Sequence, residues 1–238
     1  MEPFERSSMT GFGPGSTAAA ERVAAFLRAV YGWMCAGLAI TAVVAYMVAG
    51  SSTLLQILIS NQVLLFGLFI GQLALVFVLS ARVDRLAPGT AAAIFVGYAA
   101  LTGVTLSVLV LAYTGASIAT TFVVTAGMFG ALAFYGTTTT RSLAGAGQFL
   151  FMGLIGLVLA SLVGLFWHND ALQFLISVVG VIVFTGLTAF DAQRLKQMAL
   201  ALPEGQIGSY AIVGALSLYL DFLNLFLFLL RFLGDRRD

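Results

Sequence analysis

Seven apolar runs separated by short polar punctuation dominate the chain, at approximately residues 27–49, 63–81, 91–113, 116–137, 147–167, 171–191 and 208–231. Each is close to the roughly 20 apolar residues that one crossing of a bilayer core demands. Lipid offers a peptide group no hydrogen bond, so a run of this length must pair its own amides as a helix. The breaks carry turn chemistry, as in Gly50-Ser51-Ser52, Asn61, Pro88-Gly89, Thr114-Gly115, Gly145-Ala146-Gly147, His168-Asn169-Asp170 and Pro203-Glu204-Gly205. The expected architecture is an all-α integral membrane protein, a seven-transmembrane-helix bundle forming one domain over residues 23–234. Residues 1–22 are rich in Gly, Ser and acid and read as a mobile polar tail. Residues 235–238 read as a short C-terminal tail. Because the N-terminal tail lacks an apolar core, the first run reads as a retained anchor.

Composition narrows the function. Of 238 residues 61% are hydrophobic and 9% charged, against about 25% charged in a soluble domain. Seven crossings leave no room for a soluble catalytic domain. A net charge of +1 supplies no basic field for nucleic acid. With one cysteine (Cys35) and one histidine (His168), no Cys/His metal spacing exists and no cofactor is expected. No nucleophile elbow, HExxH or phosphate loop occurs within a span, so an enzyme is not expected. Trp33, Trp167 and Tyr113, near span ends, fit interfacial anchoring.

Basic residues in short loops set orientation. Seven crossings put Arg6, Arg22, Arg28, Arg82, Arg85, Arg141, Arg194 and Lys196 on one side, eight of the eleven Lys and Arg residues. The N-terminus is therefore expected to be cytoplasmic. Arg231, Arg236 and Arg237 then fall on the other side. Either the bias is overridden there or the last span does not cross fully.

Eight of the ten acids lie in tails or loops, where solvated charge accounts for them. The other two are Asp221, about halfway along the last span, and Asp191, which closes the sixth in "TGLTAFDAQRLK". Around Asp221, the residues Tyr210, Gly214, Ser217, Asp221 and Asn224 follow at steps of four, three, four and three. They form one polar or small stripe that must face protein or water. Ser177, Gly180, Thr188 and Asp191 form a similar stripe on the sixth span. The short connection is expected to set the two spans side by side, so the carboxyls can meet. Two carboxyls in a poorly hydrated site cannot easily both ionise, and such a pair titrates as a unit. It can sense pH, relay protons or hold a hard cation such as Ca²⁺ through oxygen. The competing reading for Asp221 is a structural carboxyl that pins helix packing, and for Asp191 a helix-end acid satisfied by water and nearby Arg194. Arg82, ending the second span in "FVLSARVDRL", has the reach for a bidentate contact with the pair. It reads equally as an interfacial anchor.

The stretch "ALSLYLDFLNLFLFLLRFLG" (215–234) resembles the C-terminal signature of the Bax inhibitor-1 family, and "AFDAQRLK" (189–196) resembles its second conserved segment. The resemblance implies a seven-helix protein with its last helix at the centre. It also implies a calcium leak controlled by a pH-sensitive aspartate pair, which by motif is Asp191 and Asp221, with Arg82 in the place of an arginine that locks the pair closed. Where some relatives carry an acid in the second span, this chain has Gly71 and Gln72.

The expected function is thus a pH-sensitive calcium (cation) leak channel. Asp191 and Asp221 gate it and contact the ion, Arg82 assists, and Ser217, Asn224, Tyr210 and Thr188 support them. Its expected partners are the lipid bilayer, Ca²⁺ and protons, and its expected location is a bacterial plasma (inner) membrane. The alternative is a membrane-embedded modulator of a membrane protease or stress-response machinery, with no transport of its own.

Overall fold

The computed structural model describes residues 14–167, 169–203 and 207–237. Most of the expected N-terminal tail (1–13), His168, Glu204-Gly205 and Asp238 lie outside the described residues. Eight α-helices follow in order: α1 (Pro14–Ala49), α2 (Ser52–Ser60), α3 (Gln62–Ala81), α4 (Pro88–Ala112), α5 (Gly115–Thr138), α6 (Ala144–Phe166), α7 (Asp170–Ala201) and α8 (Ile207–Leu233). A single 3₁₀ turn, Val83–Arg85, sits between α3 and α4. All except α2 are long and apolar enough to cross a membrane, which makes seven candidate crossings. The protein is an all-α integral membrane bundle.

Three boundaries differ from the sequence expectation, each for a local reason. α1 starts at Pro14, not near residue 23. Proline suits a first helical position, and the Ala18-Ala19-Ala20-Glu21-Arg22 segment has high helix propensity. Residues 52–60, between two expected breaks, form α2. It is capped by Ser51, whose Oγ accepts from Leu54 N, and it buries Leu55 and Leu58. Asn61 ends α2 and caps α3, its Oδ1 accepting from Leu64 N at 3.0 Å. The third change is in α7, which does not close at Asp191 but continues to Ala201. The segment after the aspartate, AQRLKQMALA, is made almost wholly of strong helix formers. Apolar run length marks the bilayer rather than the helix, so Arg194 and Lys196 stand on α7 and not in a loop.

α8 is the axis of the bundle. About two-thirds of its most apolar window (67%) is buried, against 6% for α3 and 11% for α6. It packs against α1, α4, α5 and α7, and α6 reaches the bundle through α7. Outward-facing Phe69, Phe77 and Phe149 are each more than half exposed. Such a surface is stable only where the solvent is hydrocarbon.

Contacts at both ends show that α8 runs the full length of the bundle. At its start, Ser209 Oγ donates to Leu86 O (2.7 Å) in the α3–α4 connection. At its finish, Asp235 N donates to Ser117 Oγ (3.0 Å), Thr114 N donates to Asp235 O and Arg237 N donates to Ala112 O. Tyr113 and Arg236 form an antiparallel bridge. The chain after α8 is therefore stitched to the α4–α5 connection, at the end of the bundle opposite the α3–α4 connection. Tyr113 is buried against Gly234 in this joint and is not an interfacial anchor. Trp33 packs edge-on against Phe95 in the core, while Trp167 is exposed.

Candidate functional site

α8 holds Asp221 midway along a helix that is buried on nearly every side. The carboxyl is 5% exposed, and its Oδ2 has no hydrogen-bond partner among the described residues. An acid at mid-bilayer depth costs about 2.5–3.5 kcal/mol on insertion scales. A buried oxygen without a donor is rare in folded proteins. Such an atom calls for a proton, a water or a cation.

Asp191, the second acid, stands on α7, which packs against α8. It is largely enclosed (15% exposed), and its Oδ1 lies 3.9 Å from Arg194 Nη1 one helical turn on. A cleft of about 20 Å³ lies here, lined by Asp191, Arg194, Leu195, Met198, Val213, Gly214 and Ser217. That is room for about one water. The opening exists because Gly214 has no side chain. A Cβ there would stand 2.6 Å from Leu195 Cδ2, so glycine lets α7 approach α8 beside the acids. Ser217, one turn before Asp221, thus shares the cleft with Asp191, and the two acidic helices meet as the stripe on α8 suggested.

The other expected site residues go elsewhere. Thr188 is fully buried but donates to Phe184 O (2.8 Å) on its own helix. Asn224 Nδ2 donates to Leu220 O (2.8 Å), likewise within α8. Tyr210 turns away from the acids and donates its hydroxyl to Asp84, on the turn after α3. Arg82 caps α3 through its backbone N–H, is exposed, and makes no ion pair among the described residues. The basic neighbour of Asp191 is Arg194, as its closeness in sequence suggests, and it stands on α7 one turn further along.

Two further polar sets support this region. Gln193 Nε2 donates to Arg141 O and its Oε1 accepts from Leu143 N, both at 2.8 Å, while Lys196 Nζ donates to Thr137 O at 2.7 Å. The turn of α7 after Asp191 thereby clamps the α5–α6 connection. Across the core, Tyr219 OH lies 2.6 Å from Thr41 Oγ1, which itself donates to Ala99 O (2.9 Å). In the sequence Tyr219 is one large residue in an apolar run, and the fold supplies its partner.

Among the described residues no group of three or more His, Cys, Asp or Glu side chains converges. The acidic set at the site is two carboxylates. Ca²⁺ takes 6–8 oxygen ligands, so the pair by itself falls well short of a closed Ca²⁺ cage.

Comparison with known proteins agrees with the architecture. Residues 23–238 match the family model described as "Inhibitor of apoptosis-promoting Bax1". The chain is 53% identical over 215 residues to the "Inner membrane protein YbhL" of Escherichia coli (strain K12), covering 89% of this chain and 92% of that protein. It is 46% identical over 219 residues to a protein of Deinococcus radiodurans, covering 92% and 93% of the two chains. A protein of Borreliella burgdorferi is 45% identical over 215 residues, covering 90% and 93%. With seven candidate crossings around a central last helix and a family match over nearly the whole chain, the protein belongs to the Bax inhibitor-1 family.

Proposed function

We propose that the protein is a pH-sensitive cation leak of a bacterial inner membrane, with Ca²⁺ as the ion and the N-terminus in the cytoplasm. The observation that carries this reading is the buried Asp221 carboxyl, unpaired at Oδ2 and one helical turn from Ser217, which shares a cleft with Asp191. With a proton held between them, the acids allow α7 and α8 to stay packed. When the proton leaves, two negative charges share one poorly hydrated site. Their repulsion separates the helices, and the carboxyl oxygens with Ser217 become ligands along a path. Flux therefore rises as pH rises through the titration of the pair. Arg194 is the cation that tempers this repulsion. The orientation follows from the basic residues of the α3–α4 and α5–α6 connections and of α7, which cluster at one end.

The test is Ca²⁺ flux into liposomes containing the purified protein, measured over a pH series. A single titrating switch changes its open fraction by up to about ten-fold per pH unit. Asp221→Asn is expected to abolish that dependence. Unchanged flux and unchanged pH dependence in this variant would falsify the mechanism.

A further inference from the structure

A second, larger cavity plays no part in the acidic site. It has a volume of about 600 Å³ and separates α1 and α4 from α5, with the second half of α8 as its floor. This is within the roughly 300–1,000 Å³ of small-molecule sites. Along α8 it runs from Phe222 to Leu230, roughly 12 Å at 1.5 Å per residue. Its walls, including Leu106, Ile118, Phe122 and Phe226, are apolar. Thr41 also faces it, but that hydroxyl already donates to Ala99 O and meets Tyr219 OH. The other polar side chains of the lining are Tyr46, at the opening, and the charged Arg237, at the end of the cavity where the chain leaves α8. Tyr46 (76% exposed) and Val123 (69%) edge the opening, so it faces sideways into hydrocarbon.

Arg237 is held there by construction. Its N–H donates to Ala112 O, the residue before it bridges Tyr113, and Asp235 is bonded to Thr114 and Ser117. The nearby Arg231 is already engaged, with Nη1 donating to Gln173 Oε1 at 3.0 Å. Among the described residues no carboxylate pairs with Arg237. An apolar slot open to lipid, with an arginine anchored through its backbone at the polar end, matches one kind of molecule in charge and in polarity. We infer that this cavity is a phospholipid site, taking one acyl chain along α8 and pairing the phosphate of an anionic headgroup with Arg237. A guanidinium fork suits phosphate oxygens bidentately. A headgroup without an ammonium leaves that pairing uncontested.

The test uses the full chain in phosphatidylcholine vesicles doped with diazirine-acyl phosphatidylglycerol or, separately, diazirine-acyl phosphatidylcholine. Labelled peptides are mapped by mass spectrometry. The glycerol lipid is expected to label the walls around 118–123 and 222–230 well above the lipid-facing surface of α6 around Phe149. Arg237→Gln is expected to lower that labelling by roughly five-fold, with phosphatidylcholine labelling unchanged. Ala119→Phe, which fills the cavity, is expected to remove cavity labelling by both probes. Arg237 is exposed, so its variant reports on the site without a folding defect even if Ala119→Phe fails to assemble. Equal labelling by the two lipids, full labelling of Arg237→Gln, or labelling no stronger than on α6 overturns the site.

Discussion

Tyr219 donates to Thr41 across the middle of the bundle. The Thr41 hydroxyl spends its one hydrogen on Ala99 O, so the 2.6 Å contact must take its proton from the phenol. Three helices, α8, α1 and α4, are linked through two hydrogen bonds in a region sealed by Phe95 and Tyr98, which stack edge-on against the Tyr219 ring. Tyr219→Phe is expected to cost about 1 kcal/mol, and Thr41→Val about 1–3 kcal/mol because it strands both the phenol and the Ala99 carbonyl. The double variant is expected to be less destabilised than the sum. Thermal unfolding in detergent measures all three.

Gly136 lies so close to α7 that a Cβ there would enter the carbonyl of Ala189, two residues before Asp191. Backbone cannot step aside as a side-chain tip can. Gly136→Ala is therefore expected to destabilise by about 1–3 kcal/mol. Gly127→Ala and Gly130→Ala, on the same helix with open space around them, are expected to leave the melting temperature within about 1 °C or raise it.

Gln193 satisfies both an N–H and a carbonyl of the α5–α6 connection. Replacing it with leucine leaves Leu143 N and Arg141 O without partners. Hydrogen exchange is expected to accelerate locally, over residues 139–145, by about five- to ten-fold. The core of α8 should keep its protection.

Arg194 and Arg82 separate in their effect on flux. Removing the cation beside Asp191 makes the doubly ionised pair harder to reach. Arg194→Gln is thus expected to move the half-maximal pH of Ca²⁺ flux upward. The shift should stay below about one unit, because the guanidinium is largely exposed and screened by water. Arg82→Gln, which removes an exposed group with no ion pair among the described residues, is expected to leave the half-maximal pH where it was. A shift from Arg82→Gln equal to that from Arg194→Gln counts against the assignment.

Much of the architecture could be read from residue order, because hydrophobic run length and bilayer thickness are the same quantity seen twice. The stripe Gly214-Ser217-Asp221 could also be read, because helical spacing is fixed by the backbone. What could not be read depends on distance across the fold. Tyr210 belongs to the same stripe by spacing, yet it bonds Asp84, since the first turn of α8 lies against the α3–α4 connection. Arg82 ends its span as expected, but the side on which a surface arginine settles is set by neighbours that spacing does not encode. α2 escaped notice because nine residues are too short for a crossing and too apolar for a loop. The run of α7 past Asp191 is hidden because Arg194 and Lys196 end the apolar run, whereas Ala, Gln, Leu and Met carry the helix through it. The role of the C-terminal arginines waited on the bridge between Tyr113 and Arg236.

The burial of α8 has a consequence for how the protein is made. Synthesis proceeds from the N-terminus at about 5–20 residues per second, so the helix at the centre of the structure is delivered after the crossings that surround it. Until it arrives, Val30 and Phe95 have no Tyr219 or Gly214 to pack against, and Asp191 has no second carboxyl. The first six crossings must wait as an incomplete ring, with a vacancy the width of one helix. A chain that stops before residue 207 lacks its keystone, and with it both the core and the acidic pair.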